Sequence, residues 1–357
     1  MDIFDVAIIG AGFSGLSCAE KLSQKGLSVI LFDKKKELDQ HIHTTGIIVD
    51  EALNEWDINP VHLKPINHVK LFLPNLKHID LKSSNYNFYL TDTGAVLKEK
   101  QEQINNINLK IWLNSLVKTI IYDYNYYIIP EYKVKAKYLV IANGANSSFL
   151  KQFNFETHDK FLAGYELEFP LDNLNIDSVM NVFIHPKICK GYIGWLIPGV
   201  KVLQVGLAVD RGHNLSIDNF LNHIKPIFNL DKSNMIGSRS GLIPVGHTSK
   251  NLFKNNCLVI GDAAGYVSPL TAGGIHTAIR YGRLGAQLIY DLNQSNSSQK
   301  NKVLTTYINK VPNFKYKHLL RSFFNLINKN FFWSIAYWSG ALKLGGKVIF
   351  FLKKRLN

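Results

Sequence analysis

The 357-residue chain is 46% hydrophobic and 19% charged, and its three cysteines, Cys18, Cys189 and Cys257, lie far apart with no CxxC spacing. These totals exclude a disordered chain, a disulfide framework and a cysteine zinc site, and they leave room for about two domains in a reducing compartment. The net charge of +14 fits either a solvated lysine-rich surface or attraction to an anionic one. With no nucleic-acid-binding motif present, that surface is a phospholipid headgroup layer rather than a nucleic acid.

The chain enters its first strand almost at once, which leaves no space for a leader and predicts cytosolic residence, in the cytoplasm or peripherally at a membrane. Residues 3–9, IFDVAII, are an apolar run, and GAGFSG follows directly at residues 10–15. LSCAEKLSQKG then has helical spacing, with Leu16, Ala19 and Leu22 on one face and Gly26 as a stop. Residues 28–32 read as the next strand, ended by Asp33. Strand, glycine turn, helix, strand and acid form a dinucleotide-binding βαβ unit. In it Gly10 permits the tight turn, Gly12 admits a pyrophosphate close to the backbone, and Gly15 lets the helix pack on the sheet. The helix N-terminus offers free N–H groups to the phosphates, and Asp33 stands where a carboxylate accepts from ribose hydroxyls. The unit alone does not choose between NAD and FAD.

Residues 34–50 should pass near the cofactor, with Thr44, Thr45 and Gly46 against it. His41 and His43 share a strand face but have no third ligand, so no metal site is predicted. Residues 69–72 and 87–90 read as strands that begin a second sheet, and residues 96–107 as a helix. Residues 109–112 and 118–122 return to the first domain. A Tyr-rich hairpin then feeds an apolar strand at residues 138–141 that turns at Asn143-Gly144. FLAGYELEF, SVMNVFI, GYIGWLIP and VLQVGLAV, between residues 161 and 210, predict an antiparallel sheet inserted in the nucleotide fold. A helix is expected from Ile217, interrupted by Pro226, and the Asn-rich stretch at residues 293–301 reads as a surface loop.

A second signature follows a short buried-type strand at residues 257–260: GDAAGYVSPLTAGGIHTAIRYG. Asp262, one residue past Gly261 at a strand end, can accept from polyol hydroxyls, which suits a ribityl chain; the plain alternative is a turn cap. After Pro269, Gly273 and Gly274 let backbone N–H groups face a ligand. Ile275, Ala278, Ile279 and Gly282 have helical spacing, so a helix N-terminus points at the same place and would stabilise negative charge on a reduced flavin.

GAGFSG and GDAAGYVSPLTAGG together resemble the flavoprotein superfamily of aromatic hydroxylases and geranylgeranyl reductases. Asn143-Gly144 with Ser147 resembles its Asp-Gly element, with Asn in place of Asp. GYIGWLIP at residues 191–198, followed by VLQVGLAV, is similar to the central motif of the geranylgeranyl reductase family, and the resemblance spans roughly residues 1–290. It implies an α/β fold: a Rossmann-like FAD-binding domain (residues 1–60, 96–155 and 250–300), an inserted antiparallel substrate domain (61–95 and 156–249), and a helical, aromatic and basic C-terminal segment (301–357). It also implies that Gly10, Gly12, Phe13, Ser14, Gly15 and Asp33 hold the ADP moiety, with Gly144, Gly261 and Asp262 toward the ribityl chain. Gly273, Gly274 and Ile275 would lie beside the isoalloxazine. Tyr192 and Trp195 would wall the substrate cavity, and His276 would sit near the ring; these three are the candidate catalytic residues. Family reductases often carry a cysteine where this chain has HIHTTG, so a thiol-assisted step is not expected.

The implied activity is FAD-dependent reduction of carbon–carbon double bonds in an apolar isoprenoid or lipid-like substrate, by hydride from flavin N5. No second GxGxxG exists for NAD(P)H, so electrons come either from transiently bound NAD(P)H or from a protein donor. The alternative is a flavin monooxygenase or halogenase of the same fold. Halogenases carry WxWxIP, of which this chain matches Trp195, Ile197 and Pro198 but has Ile193 where the first Trp belongs. A non-enzymatic binding module is argued against by the intact glycines and Asp262. Residues 314–357 are aromatic and basic, and their lysines and glycines make a spanning helix a poor reading. Either they pack on the second domain and close its cavity, or they lie in a membrane interface, with Trp333, Tyr337 and Trp338 at headgroup level and Lys353, Lys354 and Arg355 on anionic lipid.

Overall fold

The computed structural model describes residues 1–171, 178–249, 251–329, 340 and 343–344. Its first sheet follows from the N-terminal apolar run. Asp2–Ile9 pairs in parallel with Val29–Phe32 on one side and Val134–Ile141 on the other. Leu109–Trp112 and Cys257–Val259 extend the sheet in parallel on its two flanks. Val29–Phe32 and Cys257–Val259 are buried throughout, and Asp2–Ile9 and Val134–Ile141 over their carboxyl halves, as parallel strands covered by helices must be, whereas the flank strand Leu109–Trp112 is only partly covered. Register then matters: Ile9 lies opposite both Phe32 and Ile141, and Ile141 opposite Val259. The loops that start at Gly10, Asp33, Ala142 and Ile260 therefore leave the sheet along one edge, the carboxyl ends of the strands.

The longer helices are α1 (Phe13–Gln24), α2 (Thr93–Gln103), α3 (Ile217–Ile224), α4 (Ile275–Gln294), α5 (Ser297–Ile308) and α6 (Lys315–Lys329). Helices α1 and α4 pack against each other at close range. A Cβ at Gly282 of α4 would stand 2.6 Å from Ser14 O of α1, and Ser17 Oγ donates to Ile279 O at 2.8 Å. The two glycine motifs, some 250 positions apart in sequence, thus meet through the helices that follow them.

A second sheet has the order Gly237–Pro244, Phe161–Pro170, Val202–Asp210, Gly194–Pro198, Met180–Phe183, His68–Phe72, His78–Lys82. Its neighbours are antiparallel except Met180–Phe183 with His68–Phe72, which run parallel. Helix α3 closes a separate apolar cluster beneath it, with Phe220 and Ile224 fully buried.

Two expectations change. Residues 87–90 do not join this sheet: Phe88–Thr91 pairs instead with Ile47–Val49 and Leu63–Ile66 in a third, three-stranded sheet. Pro65 has no amide to donate, so it suits the outer strand it occupies there. Residues 293–301 lie on the surface as expected but are largely helical, because only Ser295 and Asn296 separate α4 from α5. Burial of Tyr307 of α5, whose hydroxyl meets that of Tyr266 at 3.1 Å, outweighs the weak helix propensity of the Asn and Ser residues. Trp333, Tyr337, Trp338, Lys353, Lys354 and Arg355 lie outside the described residues. Among the described residues no helix is long and apolar enough to cross a membrane.

Candidate cofactor and substrate site

The aligned strand ends open onto one cavity of about 1490 Å³, which continues between the first and second sheets. A site for one small ligand spans roughly 300–1,000 Å³, so this volume takes a cofactor and a second molecule together.

At the nucleotide end the three glycines divide the work. Gly10 has φ +106°, and its Cβ would stand 2.5 Å from Ala142 O; a Cβ at Gly15 would stand 1.8 Å from Gly10 O. Both are therefore packing positions. Gly12 is different: a Cβ there would meet nothing within 4 Å, and Gly12, Phe13 and Ser14 line the cavity. Gly12 is also the N-cap of α1, with no side-chain cap and no acidic residue in the first turn, so the amides of that turn face the cavity. Asp33 is placed less simply than the sequence implied. Its Oδ2 accepts from Ala11 N at 2.7 Å and its Oδ1 from Lys35 N at 2.8 Å. The carboxylate braces the glycine turn and is not itself among the residues that line the cavity.

The second motif reaches the same cavity. Asp262, Gly273, Gly274, Ile275 and His276 line it, and Gly261 sits directly behind, where a Cβ would stand 2.4 Å from Ser14 Oγ. Gly274 caps α4, again without a side-chain cap or an acid in the first turn. Two helix N-termini thus end on one cavity, each carrying about half a positive charge. Asp262 has no hydrogen-bond donor to its carboxyl group among the described residues, and burial alone pushes its pKa up to about 6. Asn143 and Gly144 line the cavity between the two motifs, and Ser147 Oγ nearby is buried without a partner.

These residues fit FAD. Uncapped amides and an open backbone suit the diphosphate, and a partly exposed carboxylate on the cavity wall, lacking donors among the described residues, suits a polyol. A second uncapped helix N-terminus suits the negative pole of a reduced isoalloxazine. Thr44, Thr45 and Gly46 line the same space.

The opposite wall comes from the second sheet. Tyr192, Trp195, Ile197, Met180 and Val182 line it. Tyr192 is 8% exposed, and burial raises its hydroxyl pKa against the opposing charge of Arg321. The Trp195 indole N–H donates to Glu166 Oε2 at 2.7 Å.

Glu166 was not legible in the sequence. It sits in the strand Phe161–Pro170, and its Oε2 also accepts from Thr45 Oγ1 at 2.8 Å, while Oε1 lies 3.3 Å from Arg239 Nε. Arg239 in turn donates to Thr44 O at 2.6 Å and pairs with Glu168. Gln204 Nε2 donates to Thr45 O at 3.0 Å. The second sheet therefore clamps the Thr44–Thr45 turn through a buried polar cluster. Burial raises the Glu166 pKa, while Arg239, Thr45 and Trp195 pull it down.

Arg321 of α6 was also missed. Only 9% exposed, it donates to Pro269 O at 2.7 Å, Gly191 O at 3.1 Å and Asp210 Oδ1 at 2.7 Å. One guanidinium thereby ties α6 to the flavin-side loop and to the second sheet. No cysteine is among the described residues that line the cavity; all three are buried, which pushes their thiols up. Among the described residues no group of three or more His, Cys, Asp or Glu is arranged to hold a metal.

Comparison with known proteins agrees with this geometry. Residues 4–164 match the pyridine nucleotide-disulphide oxidoreductase family. A digeranylgeranylglycerophospholipid reductase of Methanococcus aeolicus is 28% identical over 345 residues, covering 90% of this chain and 87% of the relative. The reductase of that name from Methanococcus vannielii is 28% identical over 334 residues, covering 89% and 84%. Among solved structures, a geranylgeranyl bacteriochlorophyll reductase-like protein from Thermoplasma acidophilum superposes with a TM-score of 0.79 at 19% identity, covering 92% of this chain and 88% of that one.

Proposed function

We propose that the chain, similar in sequence to digeranylgeranylglycerophospholipid reductases and in fold to a geranylgeranyl bacteriochlorophyll reductase-like protein, is an FAD-dependent oxidoreductase of the geranylgeranyl reductase family that reduces carbon–carbon double bonds in an isoprenoid lipid. The observation that carries this reading is the continuity of one cavity from the dinucleotide turn to a wall of Met180, Val182, Tyr192, Trp195 and Ile197. FAD held there would, once reduced, supply the hydride for one carbon of the double bond. The relatives' names specify a glycerophospholipid bearing two polyprenyl chains, and the apolar wall suits substrates of that class.

The chain's own residues divide the remaining tasks. Gly12, Phe13 and Ser14, backed by Gly10, Gly15 and Asp33, would hold the ADP half. Gly144, Gly261 and Asp262 would hold the ribityl chain and diphosphate, and Gly273, Gly274 and Ile275 the ring. Trp195, fixed by Glu166, would set the width of the substrate space. The carbon that does not receive hydride needs a proton. Tyr192, kept protonated by burial, and His276 at the start of α4 are the two sequence-named groups on the wall able to deliver it. The discontinuous division into a FAD-binding unit, a substrate unit and a C-terminal segment follows from this assignment. Electrons would reach the flavin from NAD(P)H or a protein donor.

The test is product analysis under argon. The FAD-loaded protein, chemically reduced, is mixed with a polyprenyl glycerophospholipid and the lipid is weighed by mass spectrometry. Gain of two hydrogens per double bond is expected. An unchanged lipid under argon that gains an oxygen atom in air would establish the monooxygenase reading instead.

A further inference from the structure

Positive charge is distributed very unevenly along the chain. Residues 292–357 contain 12 Lys and Arg and no Asp or Glu, whereas residues 1–291 are almost balanced, with 29 basic and 27 acidic side chains. Helix α6 lies in this acid-free stretch, and it presents two distinct faces. Leu320, Arg321 and Phe324 line the cavity. On the adjoining face Tyr316, Leu319, Phe323 and Leu326 are 72%, 68%, 60% and 54% exposed. Their spacing of three, four and three residues places them in one stripe along the helix. Phe323 and Leu326 belong to both faces, since they also line the cavity rim.

Taking the lipid-reductase reading as given, we propose that α6 is the membrane-docking element: its stripe sinks into the surface of an anionic bilayer and opens the cavity rim directly onto the acyl chains. Charge complementarity selects this occupant. A helix with an apolar stripe, an exposed basic side chain at Lys315 and no acid, set in a stretch whose ionisable charges are all basic, suits the headgroup boundary of an anionic leaflet. Each basic side chain near such a surface strengthens binding roughly fivefold. The Arg321 latch holds α6 against the flavin-side loop and the second sheet, so docking also fixes the orientation of the cavity mouth. A lipid could then enter by sliding laterally, its chains never crossing water.

The test uses the FAD-loaded full chain and sedimentation with vesicles of phosphatidylcholine alone or with phosphatidylglycerol. Binding should require the anionic lipid and weaken steeply with salt. Tyr316 and Leu319 do not line the cavity. The double variant Tyr316→Glu/Leu319→Glu should therefore lose at least tenfold in vesicle affinity, keep its FAD, and reduce a detergent-dispersed short polyprenyl substrate at the wild-type rate. A polarity-sensitive dye on Leu319→Cys, the native cysteines being buried, should shift to the blue on adding anionic vesicles. Binding unaffected by the double variant, or an unshifted dye on bound protein, overturns the proposal. So does a dimer in solution that the double variant dissolves. Failure to reduce the dispersed substrate would instead sink the reductase reading and leave the docking result standing.

Discussion

Replacing Asp262 with Asn should make the cofactor-free protein more stable and the holoprotein harder to form. In the apoprotein the carboxylate is mostly shielded on the cavity wall with no donor among the described residues, and its pKa rises from 3.8 to about 6. Between those values the native state binds a proton that the unfolded chain has released, so stability falls as pH rises through that window. Above it the ionised group costs about 3 kcal/mol, because each tenfold gain in proton affinity on folding is worth about 1.4 kcal/mol. Asn has nearly the same shape and no charge, so at pH 8 the variant apoprotein should melt roughly 5 °C higher, at about 2 °C per kcal/mol. At pH 4.5 about a third of that gap should remain, and it should close only as the pH falls below 3.8. FAD affinity should move the other way, because a hydrogen bond to a charged acceptor contributes about 1.5–3 kcal/mol and its loss weakens binding roughly 10- to 150-fold. Differential scanning fluorimetry across pH and flavin-fluorescence titration measure the two quantities. A variant apoprotein less stable at pH 8, or one that holds FAD as tightly as wild type, would refute the assignment of Asp262 to the cofactor.

The glycines of the first motif should separate by role. Gly12→Ala should leave the apoprotein's melting temperature unchanged and abolish FAD uptake, because its methyl group enters open cavity, whereas Gly15→Ala should fail to fold, because its Cβ would lie 1.8 Å from Gly10 O. Glu166→Gln leaves Arg239 facing a neutral amide and keeps at most part of the Trp195 and Thr45 contacts. Leaving a buried charge unpaired typically costs about 3–5 kcal/mol; Arg239 keeps Glu168, so stability should fall by less than that, indole fluorescence should change, and KM for lipid should rise with FAD content preserved. Arg321→Lys should not replace wild type, since one ammonium cannot serve Pro269 O, Gly191 O and Asp210 in the planar fork that the guanidinium provides. Limited proteolysis should then cleave α6 before the sheets.

The flavin end of the molecule was readable because its signals are local. GAGFSG and GDAAG each place several functional groups within a few residues, between an apolar strand and a periodic helix. What they hold apart or bring together follows from parallel register, which a sequence of buried strands strongly constrains. The substrate end was less readable because its polar contacts are long-range. Glu166 meets Thr45, Trp195 and Arg239, 121, 29 and 73 positions away. In FLAGYELEF a glutamate between apolar neighbours looks like an ordinary solvent-facing strand position. Arg321 had the same difficulty: among the lysines of a basic tail nothing marked it as a cation turned inward. The Asn-rich loop failed for another reason. Asn and Ser carry a turn signal, but burial of Tyr307 several residues later decided the local structure.

The decisive contact is that of a reduced flavin with a lipid double bond inside one cavity, and anaerobic flavin reoxidation tests it directly. The protein is photoreduced under argon and mixed in a stopped-flow cell with a polyprenyl glycerophospholipid, while flavin absorbance is followed. The lipid should restore the oxidised spectrum in a single-turnover phase whose rate saturates with lipid concentration. A flavin that stays reduced in the presence of the lipid and reoxidises only when air is admitted would contradict the reductase reading.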